Sequence, residues 1–159
     1  IKGAVWHLPA ERTKGGKAMD IPLTPLVVTW LRALQVTAGG SDYVFPKRRR
    51  DPRARHEHIG LDTLNVALVR VKHGIEPGFT LHDLRRTGRT HMGAIGIARD
   101  VAERCLNHKI KGVEGTYDRH DYYVERRAAL TAWTNQIERF EKGQSTVVKI
   151  DTGKQKTAN

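Results

Sequence analysis

Two short strand-like apolar runs open the chain, Ala4 to Leu8 and Ala18 to Leu23, separated by the polar segment Glu11-Arg12-Thr13-Lys14-Gly15-Gly16-Lys17. The Gly-Gly pair supplies left-handed torsions for a tight turn, so the pattern predicts a β-hairpin with a basic tip. Thr24-Pro25 then reads as an N-cap with proline at the first helical position. Leu26, Trp30, Leu31 and Leu34 share one face of the helix that follows, and Gly39-Gly40 ends it. Leu61, Leu64, Leu68 and Val71 recur at helical spacing up to Gly74 and predict a second helix. After the break at Pro77-Gly78, Thr80 caps a third helix from Leu81, with Asp83 as the acid of a capping box. A fourth helix is expected over Ala98 to Leu106. The last starts near Asp121 and passes Phe140, because Leu130, Trp133, Ile137 and Phe140 form an apolar stripe that belongs to a core. Ser145 to Ile150 has the pattern of a strand, and Asp151 to Asn159 is polar with little to bury. The expected fold is mainly α with a small antiparallel β-hairpin sheet, an α+β arrangement over residues 1–143 with a tail over 144–159.

A length of 159 residues accommodates one domain of ordinary size, about 150 residues. Charge narrows its partners: 28 Lys and Arg against 17 Asp and Glu leave a formal +11. Such a surface concentrates polyanions and releases counterions from nucleic acid, although ribosomal and membrane-surface proteins share the composition. The charge peaks between Lys47 and Arg55, where Lys47, Arg48, Arg49, Arg50, Arg53 and Arg55 face the single acid Asp51, and Pro46 and Pro52 discourage regular structure. An isolated run of this kind is usually a solvated linker; the charge of the whole chain turns it toward DNA. The longest weakly polar stretch, Ile21 to Leu31, is short and broken by Pro22 and Pro25, so no membrane span is expected. The single cysteine, Cys105, cannot form an intramolecular disulfide, and no leader pattern opens the chain, which fits a reducing cytoplasm. The first residue is not Met and the opening already approaches a strand, so an upstream part is expected to be missing.

Candidate chemistry begins at the third helix. His82 and Arg85 lie three apart on one helical face, Leu81 and Leu84 on another, expected to be core. The polar pair falls in the first turn, where free backbone N–H groups and the helix dipole favour an anion. Arginine clamps phosphate with a planar fork of charge-assisted donors, and an imidazole adds a donor or moves a proton. Taken alone, the pair is equally well a structural histidine beside a surface arginine. Leu106-Asn107-His108 closes the fourth helix, and Tyr117 comes nine positions after that histidine. A chain turning at Lys111-Gly112 brings the tyrosine back toward His82 and Arg85, where a phenol could attack clamped phosphorus; a lone tyrosine is more often a half-buried aromatic. Eight histidines raise metal-assisted hydrolysis as a rival. Spacing opposes it: there is no HExxH, no cysteine pair, and His56 and His58 fall in the basic loop.

The ordered set of basic hairpin tip, His82-x-x-Arg85, Leu106-x-His108 and Tyr117 resembles the catalytic domain of tyrosine recombinases, the phage-integrase family. The segment from Leu106 to His120 looks like integrases of prophages and genomic islands, and the resemblance runs from about Trp6 to Phe140. It implies a recombinase that cuts and rejoins DNA through a 3′-phosphotyrosyl intermediate, integrating or excising a mobile element, without ATP, metal or other cofactor. Tyr117 is then the nucleophile and Lys14 the general acid. Arg85 is the second arginine of the phosphate clamp, and His82 and His108 are phosphate-binding histidines. Lys17, Lys47, Arg48, Arg49, Arg50, Arg53, Arg55 and Arg86 are expected on DNA. The implied partners are double-stranded attachment sites and other protomers in a tetramer, with Ser145 to Ile150 exchanged between protomers, in a bacterial cytoplasm near the nucleoid. One departure matters. The family's first clamp arginine lies upstream of the hairpin, a place that neither Arg12 nor Arg48 occupies. Losing such a donor typically costs about 10²–10³ in rate, so the chain by itself is expected to be impaired, and a DNA-binding module without catalysis is the alternative.

Overall fold

The computed structural model describes residues 4–47, 57–60, 62–71, 78–108 and 120–144. Strands β1 (Val5–Leu8) and β2 (Met19–Pro22) pair antiparallel, with Trp6 opposite Ile21 and His7 opposite Asp20. His7 Nδ1 and Asp20 Oδ1 lie 2.7 Å apart, a polar link across the ribbon. The turn between the strands is wider than the Gly-Gly pair predicts. A single 3₁₀ turn over Ala10–Arg12 leads into it, and Thr13 Oγ1 accepts from the Lys17 amide at 3.0 Å while lying within donor range of the Ala10 and Lys17 carbonyls. Of the two glycines only Gly16 is left-handed, at φ 65°. A hydroxyl bracing the turn replaces the second left-handed residue.

Five helices follow among the described residues: α1 (Pro25–Thr37), α2 (Thr63–Val71), α3 (Leu81–Ala94), α4 (Arg99–Cys105) and α5 (Tyr123–Glu141). Mainly helical with one two-stranded sheet, this is the α+β class that the pattern predicts. Thr24 caps α1 through its hydroxyl on the Val27 amide, with Pro25 at the first helical position. Thr80 starts α3 as expected: its amide and hydroxyl both donate to the Asp83 carboxylate, at 2.9 and 2.8 Å. These bonds hold the Asp83 carboxyl below its ordinary range, the hydroxyl contributing most.

α5 is the central packing element, lying against α4, β2 and α3. Met92, Ala102 and Ala129 are the buried hydrophobic residues among those described. Trp133 sets the α3–α5 contact. Its indole lies 3.8 Å from where a Cβ on Gly88 would stand, and it stacks on the His91 ring at a centroid distance of 5.6 Å. Two expectations are corrected here. Leu84, read as a core residue of α3, is 52% exposed, because the partner ring meets the helix one turn later, at Gly88. The stripe on α5, read as core throughout, leaves Phe140 37% exposed at its far end, and the largest fully buried side chain among the described residues lies one turn before Leu130, at Arg126 with 2% exposure.

The flanks of the basic loop meet in an antiparallel bridge between Pro46 and His58, with the Lys47 amide donating to the Glu57 carbonyl at 2.8 Å and the Ile59 amide to the Phe45 carbonyl at 3.0 Å. The loop therefore leaves and returns at one neck. Arg48, Arg49, Arg50, Arg53 and Arg55, the predicted turn at Lys111-Gly112, Tyr117, and the strand pattern of Ser145 to Ile150 lie outside the described residues. No described helix is long and apolar enough to cross a membrane.

Candidate active site

The first turn of α3 and the end of α4 meet at one polar cluster. α4 stops in a Schellman turn: the His108 amide donates to the Glu103 carbonyl and the Asn107 amide to the Arg104 carbonyl, both at 3.0 Å. That closure requires a left-handed residue, and Asn107 supplies it at φ 51°. Asparagine tolerates this region better than other residues that carry a Cβ. The turn aims His108 back across α4 toward α3.

Arg85 reaches from α3 to meet it. Its Nε donates to His108 Nε2 at 3.3 Å, and an Nη donates to the Leu106 carbonyl, an unpaired acceptor at the negative end of the α4 dipole. On the other side of the imidazole, His108 Nδ1 lies 2.5 Å from Glu103 Oε2. The partners fix the tautomer. Nε2 accepts from a guanidinium that cannot give up its proton, so Nδ1 carries the hydrogen and donates it to the carboxylate. Arg89 Nε donates to the other oxygen of Glu103 at 2.8 Å. The bond from Arg89, and then that from His108, holds the Glu103 carboxyl below its ordinary range despite partial desolvation. A chain of charge-assisted bonds, Arg89 to Glu103 to His108 to Arg85, thus joins α3 and α4. Much of the Arg85 guanidinium remains free for an anion.

The other predicted residues fall around this cluster. His82 lies one turn before Arg85, exposed at the start of α3. Arg86 is exposed and pairs with Asp83 at 3.2 Å, a surface pair that a phosphate can displace at small cost. It lines an open cleft of about 530 Å³ with Phe79, Thr87, Thr90 and His91. Lys14 and Lys17 stand exposed on the hairpin tip, and Lys47 at the neck of the basic loop. The structure thus brings Arg85 and His108 into contact and leaves Lys14 without a hydrogen bond or ion pair among the described residues. Sequence reasoning missed Glu103, Arg89 and Arg126. Glu103 could have been found one helical turn and a cap before His108, and Arg126 by extending the α5 stripe one turn toward its start.

Arg126 ties the surroundings together. Its Nη1 donates to the Asp20 carbonyl on β2 at 2.7 Å, its Nη2 to Asp121 Oδ1 at 2.9 Å and its Nε to the Asp121 carbonyl at 3.2 Å. Its own carbonyl accepts a weak bond from Cys105 Sγ at 3.8 Å. Burial pushes the Cys105 thiol up to about 11, against a smaller opposing effect of Arg126, so this sulfur is a packing group and a poor nucleophile. Among the described residues no three imidazole, carboxyl or thiol groups gather closely enough to hold a metal ion.

An exposed arginine joined to a tautomer-fixed histidine, on the same domain as a basic hairpin tip, can receive an anion. Comparison with known proteins names the family. The model of the phage integrase family matches residues 1–123, and the chain belongs to that family. Over 139 residues it is 28% identical to the prophage integrase IntA and 29% identical to the prophage integrase IntZ, both of Escherichia coli strain K12. Each alignment covers 87% of this chain but only 32% and 33% of the relative, so the chain spans about a third of their length. No solved structure matches it.

Proposed function

We propose that the protein is a site-specific DNA recombinase and that this chain carries most of its catalytic domain. The Arg85–His108 contact carries the reading, because residues 23 apart in sequence meet at 3.3 Å with much of the Arg85 guanidinium still free for an anion. Two relatives that bear the name prophage integrase support it. In the proposed reaction the Tyr117 oxygen attacks phosphorus and its proton leaves to a neighbouring imidazole or water. The bond from phosphorus to the 5′ oxygen breaks, and the Lys14 ammonium protonates that oxygen. Arg85, His82 and His108 stabilise the charge on five-coordinate phosphorus. The phosphotyrosine keeps the bond energy, and attack by a 5′ hydroxyl reverses the step. His108 Nε2 accepts a hydrogen bond in the free protein, so it takes up a proton or yields Arg85 to the phosphate when DNA binds. Protomers assemble as a tetramer on paired DNA sites, with residues 144–159 exchanged between neighbours.

The test uses the protein expressed from its complete reading frame beside its Tyr117→Phe variant, each mixed with fragmented host DNA and then denatured. A covalent adduct with wild type alone, mapped to Tyr117, is the expected result, and the trapped DNA identifies the site. Tight binding by both proteins with no adduct would replace the recombinase by a DNA-binding module.

A further inference from the structure

Arg126 is a buried cation whose fork is spent almost entirely on positions of main chain. Two of its three bonds go to backbone carbonyls, one on β2 and one just before α5, and the third goes to the largely exposed Asp121 side chain. Stability alone is a weak reason for such a group, since a buried ion pair can often be replaced by well-packed apolar residues without loss. What an apolar residue cannot do is fix two carbonyls relative to each other. Asp20 is also the residue whose carboxylate links to His7 across the ribbon, so the bond from Arg126 anchors the base of the hairpin that presents Lys14. Asp121 stands four residues after Tyr117 in sequence, and the Arg126 carbonyl receives Cys105, three residues before His108. The segments bearing the proposed acid and phosphate ligand are thus held by one side chain and its own backbone.

The geometry points to Arg126 as a positioning residue for the strand-transfer centre, acting through the hairpin to hold Lys14 at the leaving oxygen. This rests on the recombinase reading above. Its signature is selective: displacement of Lys14 impairs only a step that needs a proton. A thiolate leaves without one, so DNA whose scissile 5′ oxygen is replaced by sulfur bypasses Lys14.

The experiment compares wild type, Arg126→Lys and Asp121→Ala, from the complete reading frame, on the trapped site made with oxygen or with sulfur at that position. Rates of adduct formation, DNA affinity and thermal unfolding are read together. Arg126→Lys is expected to form adduct at least about tenfold more slowly on the oxygen DNA and within about threefold of wild type on the sulfur DNA, with affinity unchanged. Asp121→Ala removes one bond from an exposed partner without emptying the core, and is expected to show a smaller loss of the same kind. Equal losses on both DNAs, or none on either, overturn the proposal. If Arg126→Lys does not fold, Asp121→Ala decides by the same criterion. A wild type that forms no adduct on either DNA overturns the recombinase reading itself, a separate outcome.

Discussion

Glu103 shows how one carboxylate can govern a histidine it does not resemble in role. It accepts from Arg89 and from His108, and both bonds favour its charged form. A carboxyl held below its ordinary 4.5 contributes stability that is complete above that value and disappears as pH falls through the lowered one. Wild type is therefore expected to lose thermal stability as pH drops below about 4.5, and Glu103→Gln to lose less of it over the same interval. Melting curves at closely spaced acid pH values check this; parallel slopes for the two proteins contradict it. At neutral pH the same substitution releases the tautomer of His108, because an amide offers the imidazole a donor as readily as an acceptor.

Helix ends and helix interiors make different demands. The Schellman turn after α4 needs a left-handed residue at Asn107, and His108 is placed by that turn. Asn107→Gly is expected to preserve stability and the Arg85 contact, whereas Asn107→Val forces a branched residue into the left-handed region at a cost of about 1–2 kcal/mol. Chemical denaturation of the two variants distinguishes them. Gly88 is the opposite case. It lies inside α3, and a Cβ there would meet the Trp133 indole at ordinary contact distance. Gly88→Ala should raise stability by roughly 0.5–1 kcal/mol, seen as a higher melting temperature. Helix starts at Thr24 and Thr80 were legible in the sequence because capping is local, set within four residues. The same holds for the pairing of hairpin strands. Leu84 and Arg126 were not, because burial depends on where another element lands, and residue type argues the wrong way for both. Arg85 and His108, which meet in the structure, were legible as candidates in the sequence, whereas the bond between Arg89 and Glu103 was hidden because it joins two helices across 14 residues.

At the scale of the molecule, charge and open apolar surface dominate. Trp6 at 54% and Val36 at 82% exposure, and the half-covered face of α1, leave packing in the described residues concentrated around α5. The formal charge of +11 sets how the protein responds to salt. Affinity for duplex DNA should fall steeply as salt rises, and Lys17→Ala should lower the log–log slope by about 0.9 if the hairpin tip touches one phosphate. Titrations from about 50 to 200 mM salt measure it, and an unchanged slope removes the tip from the interface. The bond between Arg126 and Asp20 spans 106 residues of chain. On a ribosome adding about 5–20 residues per second, the hairpin waits roughly 5–20 s for its anchor to be made. A nascent or prematurely terminated product that stops short of residue 126 thus carries the basic tip without the bond that ties down the base of its hairpin.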